Sequence, residues 1–220
     1  MNRFTFTFST VKKMVLSAAV AVAGFSVASQ PSMAQVDAIQ FDLVAHPKNL
    51  ACLQSSPNVT PKAHITVHRG KLADTLTIQA QNIKPGLQFD MFTVQRSALL
   101  SDGTVDPLFT NFGFAWYQSD LTADAYGRIN ANIKTILLDQ IFGFDPDLSP
   151  NNFNAFHVGF WFNDPNTAVP CGFDATKPTP FNGEHKAGPV AMISVPDANT
   201  NLGPLCTDPN TNTNPPTCNP

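Results

Sequence analysis

His64-Ile65-Thr66-Val67-His68 and, shortly after it, Thr75-Leu76-Thr77-Ile78-Gln79-Ala80 alternate polar and apolar side chains residue by residue. A period of two puts successive side chains on opposite faces of an extended chain, so each stretch reads as a strand with one dry face and one wet face. The turn Lys84-Pro85-Gly86 follows, and then Leu87 to Gln95, where Phe89 and Met91 point one way and Phe92 and Val94 the other. A strand apolar on both faces is central in its sheet or carries a bulge. Further strands are expected at Phe112 to Ser119, Tyr126 to Lys134, Phe153 to Phe162 and Pro189 to Val195, with a short helical turn at Thr135 to Phe142 that Gly143 and Pro146 stop.

Seven or more short strands in one run predict an all-β domain: a two-sheet antiparallel β-sandwich over residues 35–195. An immunoglobulin-like topology is the first expectation and a jelly roll the second. Composition agrees. Of 220 residues 13% are charged, and the 16 acids include a single Glu, Glu184, so the usual surface of long helices is missing. A net charge of -3 with no long basic run argues against a nucleic-acid partner. Residues 196–220 are rich in Pro, Asn and Thr with little to bury, and read as a flexible tail.

Arg3, Lys12 and Lys13, the apolar run Met14 to Ser29 and then Ser32-Met33-Ala34 have the order of a secretory signal peptide, residues 1–34, cleaved after Ala34. The apolar run is shorter than a membrane span needs, so no span is expected once the signal is removed. The expected location is secreted or periplasmic. All four cysteines, Cys52, Cys171, Cys206 and Cys218, follow the signal, and an even number in an oxidising compartment predicts disulfides. Three pairings are open. Cys206 and Cys218 bracket one loop and are expected together, which leaves Cys52 with Cys171. No CxxC spacing is present, and His64 and His68 read as solvent-face residues, so neither metal nor cofactor is expected.

Three segments stand out: Phe112-Gly113-Phe114-Ala115-Trp116-Tyr117-Gln118-Ser119-Asp120-Leu121, Phe156-His157-Val158-Gly159-Phe160-Trp161-Phe162-Asn163, and Pro180-Phe181-Asn182-Gly183-Glu184-His185-Lys186-Ala187-Gly188. In these the chain resembles a group of exported bacterial proteins of no assigned chemistry. The resemblance implies export and a bacterial source and carries over no catalytic residue.

Two functional classes follow from the residues themselves. Trp116, Tyr117, Gln118, His157, Trp161 and Asn163 combine rings that stack on sugars with groups that bond hydroxyls, the equipment of a non-enzymatic binding module for glycan or an envelope protein. Gly159, between His157 and Trp161, is read as room for a ligand or another backbone to approach. The plainer reading makes both tryptophans packing residues and His157 a satisfied interior histidine. The alternative function is a secreted hydrolase in which Glu184 orients His185, with Asp120 or Asp164 as a second acid. No GxSxG elbow supports acyl transfer, and the plainer role of Glu184 and His185 is to fix a Gly-flanked loop.

Overall fold

The computed structural model describes residues 38–70, 73–135, 156–179 and 186–218. The expected signal peptide, most of the expected helical turn, the start of the expected Phe153 strand, and Glu184 with His185 lie outside the described residues. The protein is predominantly β. Eight strands, β1 (Ile39–Ala45), β2 (Lys62–His68), β3 (Asp74–Gln81), β4 (Gln88–Val94), β5 (Ala115–Thr122), β6 (Ile129–Thr135), β7 (His157–Phe162) and β8 (Val190–Ser194), share one sheet in the order β5-β4-β7-β8-β1-β2-β3-β6. Every neighbouring pair is antiparallel.

The sheet is continuous and falls into two four-stranded halves, or ladders, on either side of the β1–β8 pairing. One is β5-β4-β7-β8, the other β1-β2-β3-β6, and the two meet in a short register of Leu43 with Ser194, Val44 with Ile193 and Ala45 with Met192. Alternation decides which face each residue joins. Ala63, Ile65 and Val67 of β2, Leu76, Ile78 and Ala80 of β3, Phe89 and Met91 of β4, and Val158, Phe160 and Phe162 of β7 pack into one core. Leu43, Leu121, Ile129 and Met192 bring the remaining four strands to the same cluster. At about 25 cal/mol per Å² of apolar surface removed from water, this shared core is the main favourable contribution to folding.

β4 is central, and the bulge falls in its partner β5, where Gln118 is the extra residue, rather than in β4 itself. It lies between β5 and β7, and its register with β5 shifts between Met91 and Phe92. Its second face, Phe92 and Val94, belongs to a separate apolar cluster with Leu99, Trp161, Val190 and Ile193, against which Val105 and Phe112 of the β4–β5 connection pack. That long connection therefore covers the outer face of β4, β7 and β8.

Both disulfides have the expected partners. Cys52 joins Cys171, tying the short helix α1 (Leu50–Leu53) to the 3₁₀ segment Pro165–Cys171, and Cys206 joins Cys218. The second bridge closes a small hairpin of β9 (Pro209–Asn210) and β10 (Thr217–Cys218). The residues after 195 are more anchored than their composition suggests. Leu202 and Leu205 are buried, the Leu205 amide donates to the Phe156 carbonyl at 3.3 Å, and Arg69 donates to the Leu205 carbonyl at 3.3 Å. Two leucines at the right positions attach a segment that is otherwise polar.

Candidate functional site

The register brings an acid pair to the outer face of the first ladder. Asp120 on β5 stands directly opposite Asp90 on β4, and Asp90 stands opposite Trp161 on β7. Side chains directly opposite in an antiparallel pair have Cβ atoms about 4.5–5.5 Å apart, and two like charges so placed repel. Each carboxylate is offset by a donor. Asn163 Nδ2 donates to Asp90 Oδ1 at 2.8 Å, and the Tyr117 hydroxyl donates to Asp120 Oδ1 at 2.8 Å. Asp90 is fully buried, whereas Asp120 is exposed. Sequence reasoning missed Asp90; its signal was a lone acid in Phe89-Asp90-Met91-Phe92, at a position whose neighbours are all apolar.

Tyr117 completes this face. Its ring meets Phe92 edge-on at 5.7 Å and stays 48% exposed. Trp161, by contrast, is fully buried, with Phe92 at 5.4 Å and Phe112 at 5.0 Å set edge-on against it. The space expected beside Gly159 is filled by the indole itself. A Cβ on Gly159 would lie 2.7 Å from Cζ3 and 2.9 Å from Cη2 of Trp161, so the glycine admits a ring of the same strand rather than a ligand.

Trp116 points the other way. It pairs with Thr93, stacks on Phe114 at 6.1 Å with planes 20° apart, and is 39% exposed, so it is not the interior packing residue of the plainer reading. After the two aromatics comes Gln118, which the register shift leaves without a partner of its own on β4. Its carboxamide donates to Thr93 Oγ1 at 3.0 Å and accepts from Thr135 Oγ1 at 2.6 Å, which links β5 to β6, the two outermost strands of the sheet. No match to this chain is found among protein-family models, curated proteins or solved structures.

His157 is buried, and its Nδ1 lies 3.0 Å from the Ser194 carbonyl and 3.1 Å from Ser194 Oγ. A carbonyl only accepts, so Nδ1 carries a proton and donates it. Burial pushes its pKa down to about 4, against a smaller upward pull from the hydrogen bond to Ser194. Asp164 is exposed and caps the 3₁₀ segment by accepting from the Asn166 amide at 2.9 Å and from Asn166 Nδ2 at 2.8 Å, which accounts for its carboxylate structurally. His64 pairs with Asp42 at 2.7 Å on the outer face of β2. Among the described residues no three His, Cys, Asp or Glu side chains gather as a metal site.

The candidate residues therefore divide. Tyr117, Asp120, Asn163 and the newly found Asp90 share one outer surface, with Trp161 beneath it. Trp116 and Gln118 occupy the opposite face of the same strand.

Proposed function

We propose that this protein is an exported, non-enzymatic binding module of the cell envelope or extracellular space that holds glycan through the aromatic side chains of β5. The observation that carries the reading is the pair Trp116 and Tyr117, large rings left 39% and 48% exposed on consecutive residues and each held in place, one by Phe114 and one by Asp120. Fixed, solvent-facing rings stack on sugar faces with little further loss of side-chain entropy, and Asp120 and Asn163 on the Tyr117 face, with Gln118 on the Trp116 face, are at hand for hydroxyls. Two disulfides fit an oxidising compartment, and no helix among the described residues is long and apolar enough to cross a membrane. Folding of the two four-stranded ladders against each other as a β-sandwich is part of the same proposal, supported by the single core to which all eight strands contribute.

The test is retention on a panel of immobilised bacterial polysaccharides, comparing the parent with Trp116→Ala and Tyr117→Ala. Loss of retention in either variant with an unchanged melting temperature supports the proposal; equal retention in all three proteins, or none in the parent, rejects it.

A hydrolase is the second reading, and the facing carboxylates Asp90 and Asp120 are the observation in its favour, since glycoside hydrolysis uses two such groups. Glu184 and His185 remain its other proposed members. Turnover of a polysaccharide by the parent that disappears in Asp120→Asn and Glu184→Gln would replace binding with catalysis.

A further inference from the structure

His46 follows β1 and leads into the 3₁₀ turn Pro47–Asn49, with its amide donating to the Ala191 carbonyl at 2.9 Å. The residue is only 6% exposed, and Nδ1 is buried without a hydrogen-bond partner among the described residues. An unmet buried polar atom is costly and calls for an explanation. Leaving a lone pair rather than an N–H at the closed-off Nδ1 is the cheaper choice, so the proton belongs on Nε2. Burial, reinforced by the nearby charge of Lys48, lowers the pKa of the ring and keeps it neutral.

The ring lines a cleft of about 490 Å³, within the range of small-molecule sites. Phe109, Phe112 and Phe173 supply its apolar walls, and Lys48 and Asp106 its charges. The walls are held in place. Phe112 packs against Phe109 at 4.7 Å and edge-on to Trp161, Asn49 donates to the Val190 carbonyl at 2.8 Å, and Cys171 is bonded to Cys52. Asp106 has one carboxylate oxygen already accepting from the Leu108 amide at 2.8 Å. Lys48 makes no ion pair or hydrogen bond among the described residues. The groups left to address an occupant are two donors, one of them cationic, and the second carboxylate oxygen of Asp106, beside phenyl rings inclined at 59° to each other.

We infer that this cleft, separate from the β5 surface, binds a small carboxylate with an apolar, ring-sized body, the carboxylate between Lys48 Nζ and His46 Nε2–H and the body against Phe109 and Phe112. A charged acceptor matches both donors, and an aromatic body replaces water on the phenyl faces.

Phenylacetate and its neutral counterpart phenylacetamide, titrated into the full chain by calorimetry and by ¹⁵N resonances of the histidine rings, test the assignment. Saturable phenylacetate binding, at least about tenfold weaker binding of the amide, and movement of the His46 Nε2 signal are expected. Lys48→Met, at an exposed position, should bring the acid to the affinity of the amide without changing the melting temperature. Absence of saturation, equal affinity for acid and amide, binding that leaves the His46 ring unmoved, or parental affinity in Lys48→Met would each overturn it.

Discussion

The six-membered ring of Trp161 lies over the α-carbon of Gly159, in the volume that any side chain at residue 159 would occupy. Strand β7 thus uses a glycine to seat its own tryptophan two residues on, and the edge-on rings of Phe92 and Phe112 close the site. Replacing Gly159 by Ala forces the indole to move or the backbone at Met192 to yield, because the Met192 carbonyl oxygen would be 3.1 Å from the new carbon. A loss of about 1–3 kcal/mol is expected from such overpacking. Urea unfolding followed by tryptophan emission measures it, and a parental midpoint with parental emission would contradict the packing described.

The Asp90 and Asn163 pair gives a second expectation. Asn163→Ala removes an amide donor from a fully buried carboxylate that already faces Asp120, and should cost about 1–3 kcal/mol. Asp90→Asn should lessen that cost by removing the charge. A double-mutant cycle of the two substitutions measures the coupling, and strictly additive effects would mean that the contact contributes nothing.

Acid should weaken the fold in a defined window. The unfolded chain protonates a histidine near 6.5, while buried His157 resists protonation down to about 4, so between these values the unfolded state binds more protons. Stability is therefore full above about 6.5, falls as the pH drops toward about 4, and loses nothing more from this group below that. The total is about 3 kcal/mol, and His46, shifted in the same direction, adds to it. Asp102, Asp174 and Asp197, whose values are lowered by hydrogen bonds to neighbouring residues, act only at still lower pH. Denaturation midpoints from pH 7 to 4 should decline in the parent and decline less in His157→Gln; a flat parental profile would count against the neutral buried ring.

The disulfides should differ in their stabilisation. The Cys52–Cys171 bridge spans 119 residues and the Cys206–Cys218 bridge 12, which on the chain-entropy model corresponds to about 5 and about 3 kcal/mol. Paired Cys→Ser substitutions compared by denaturant titration check the order, and peptide mapping without reduction checks the pairing. A larger loss from the short loop would mean that strain or residual structure, rather than loop length, governs stability.

Alternation made β2, β3 and the two-faced β4 legible before any coordinates, and loop spacing sufficed for both disulfides. β1 is not among the expected strands although Ile39, Phe41 and Leu43 repeat every second residue. Its role in joining the two ladders rests on contacts with residues far along the chain, which no local period encodes. The same holds for the site. Tyr117, Asp120 and Asn163 stood out as residue types, but Asp90 acquires meaning only when the register places it between Asp120 and Trp161. Trp116 and Trp161 are chemically identical in a sequence, and strand position alone leaves one in water and buries the other.

The place of β1 between β2 and β8 also constrains the order of events as the chain emerges. A polypeptide delivered from its N-terminus can pair β1 with β2 early, but the other edge of β1 stays bare until residues 192–194 arrive. Until that moment the β5-β4-β7 strands lack their backbone link to β1, and Gln118 of β5, accepting from Thr135 of β6, joins the halves at the other end. A chain made from its N-terminus would thus carry one open sheet edge until nearly all of it had been synthesised.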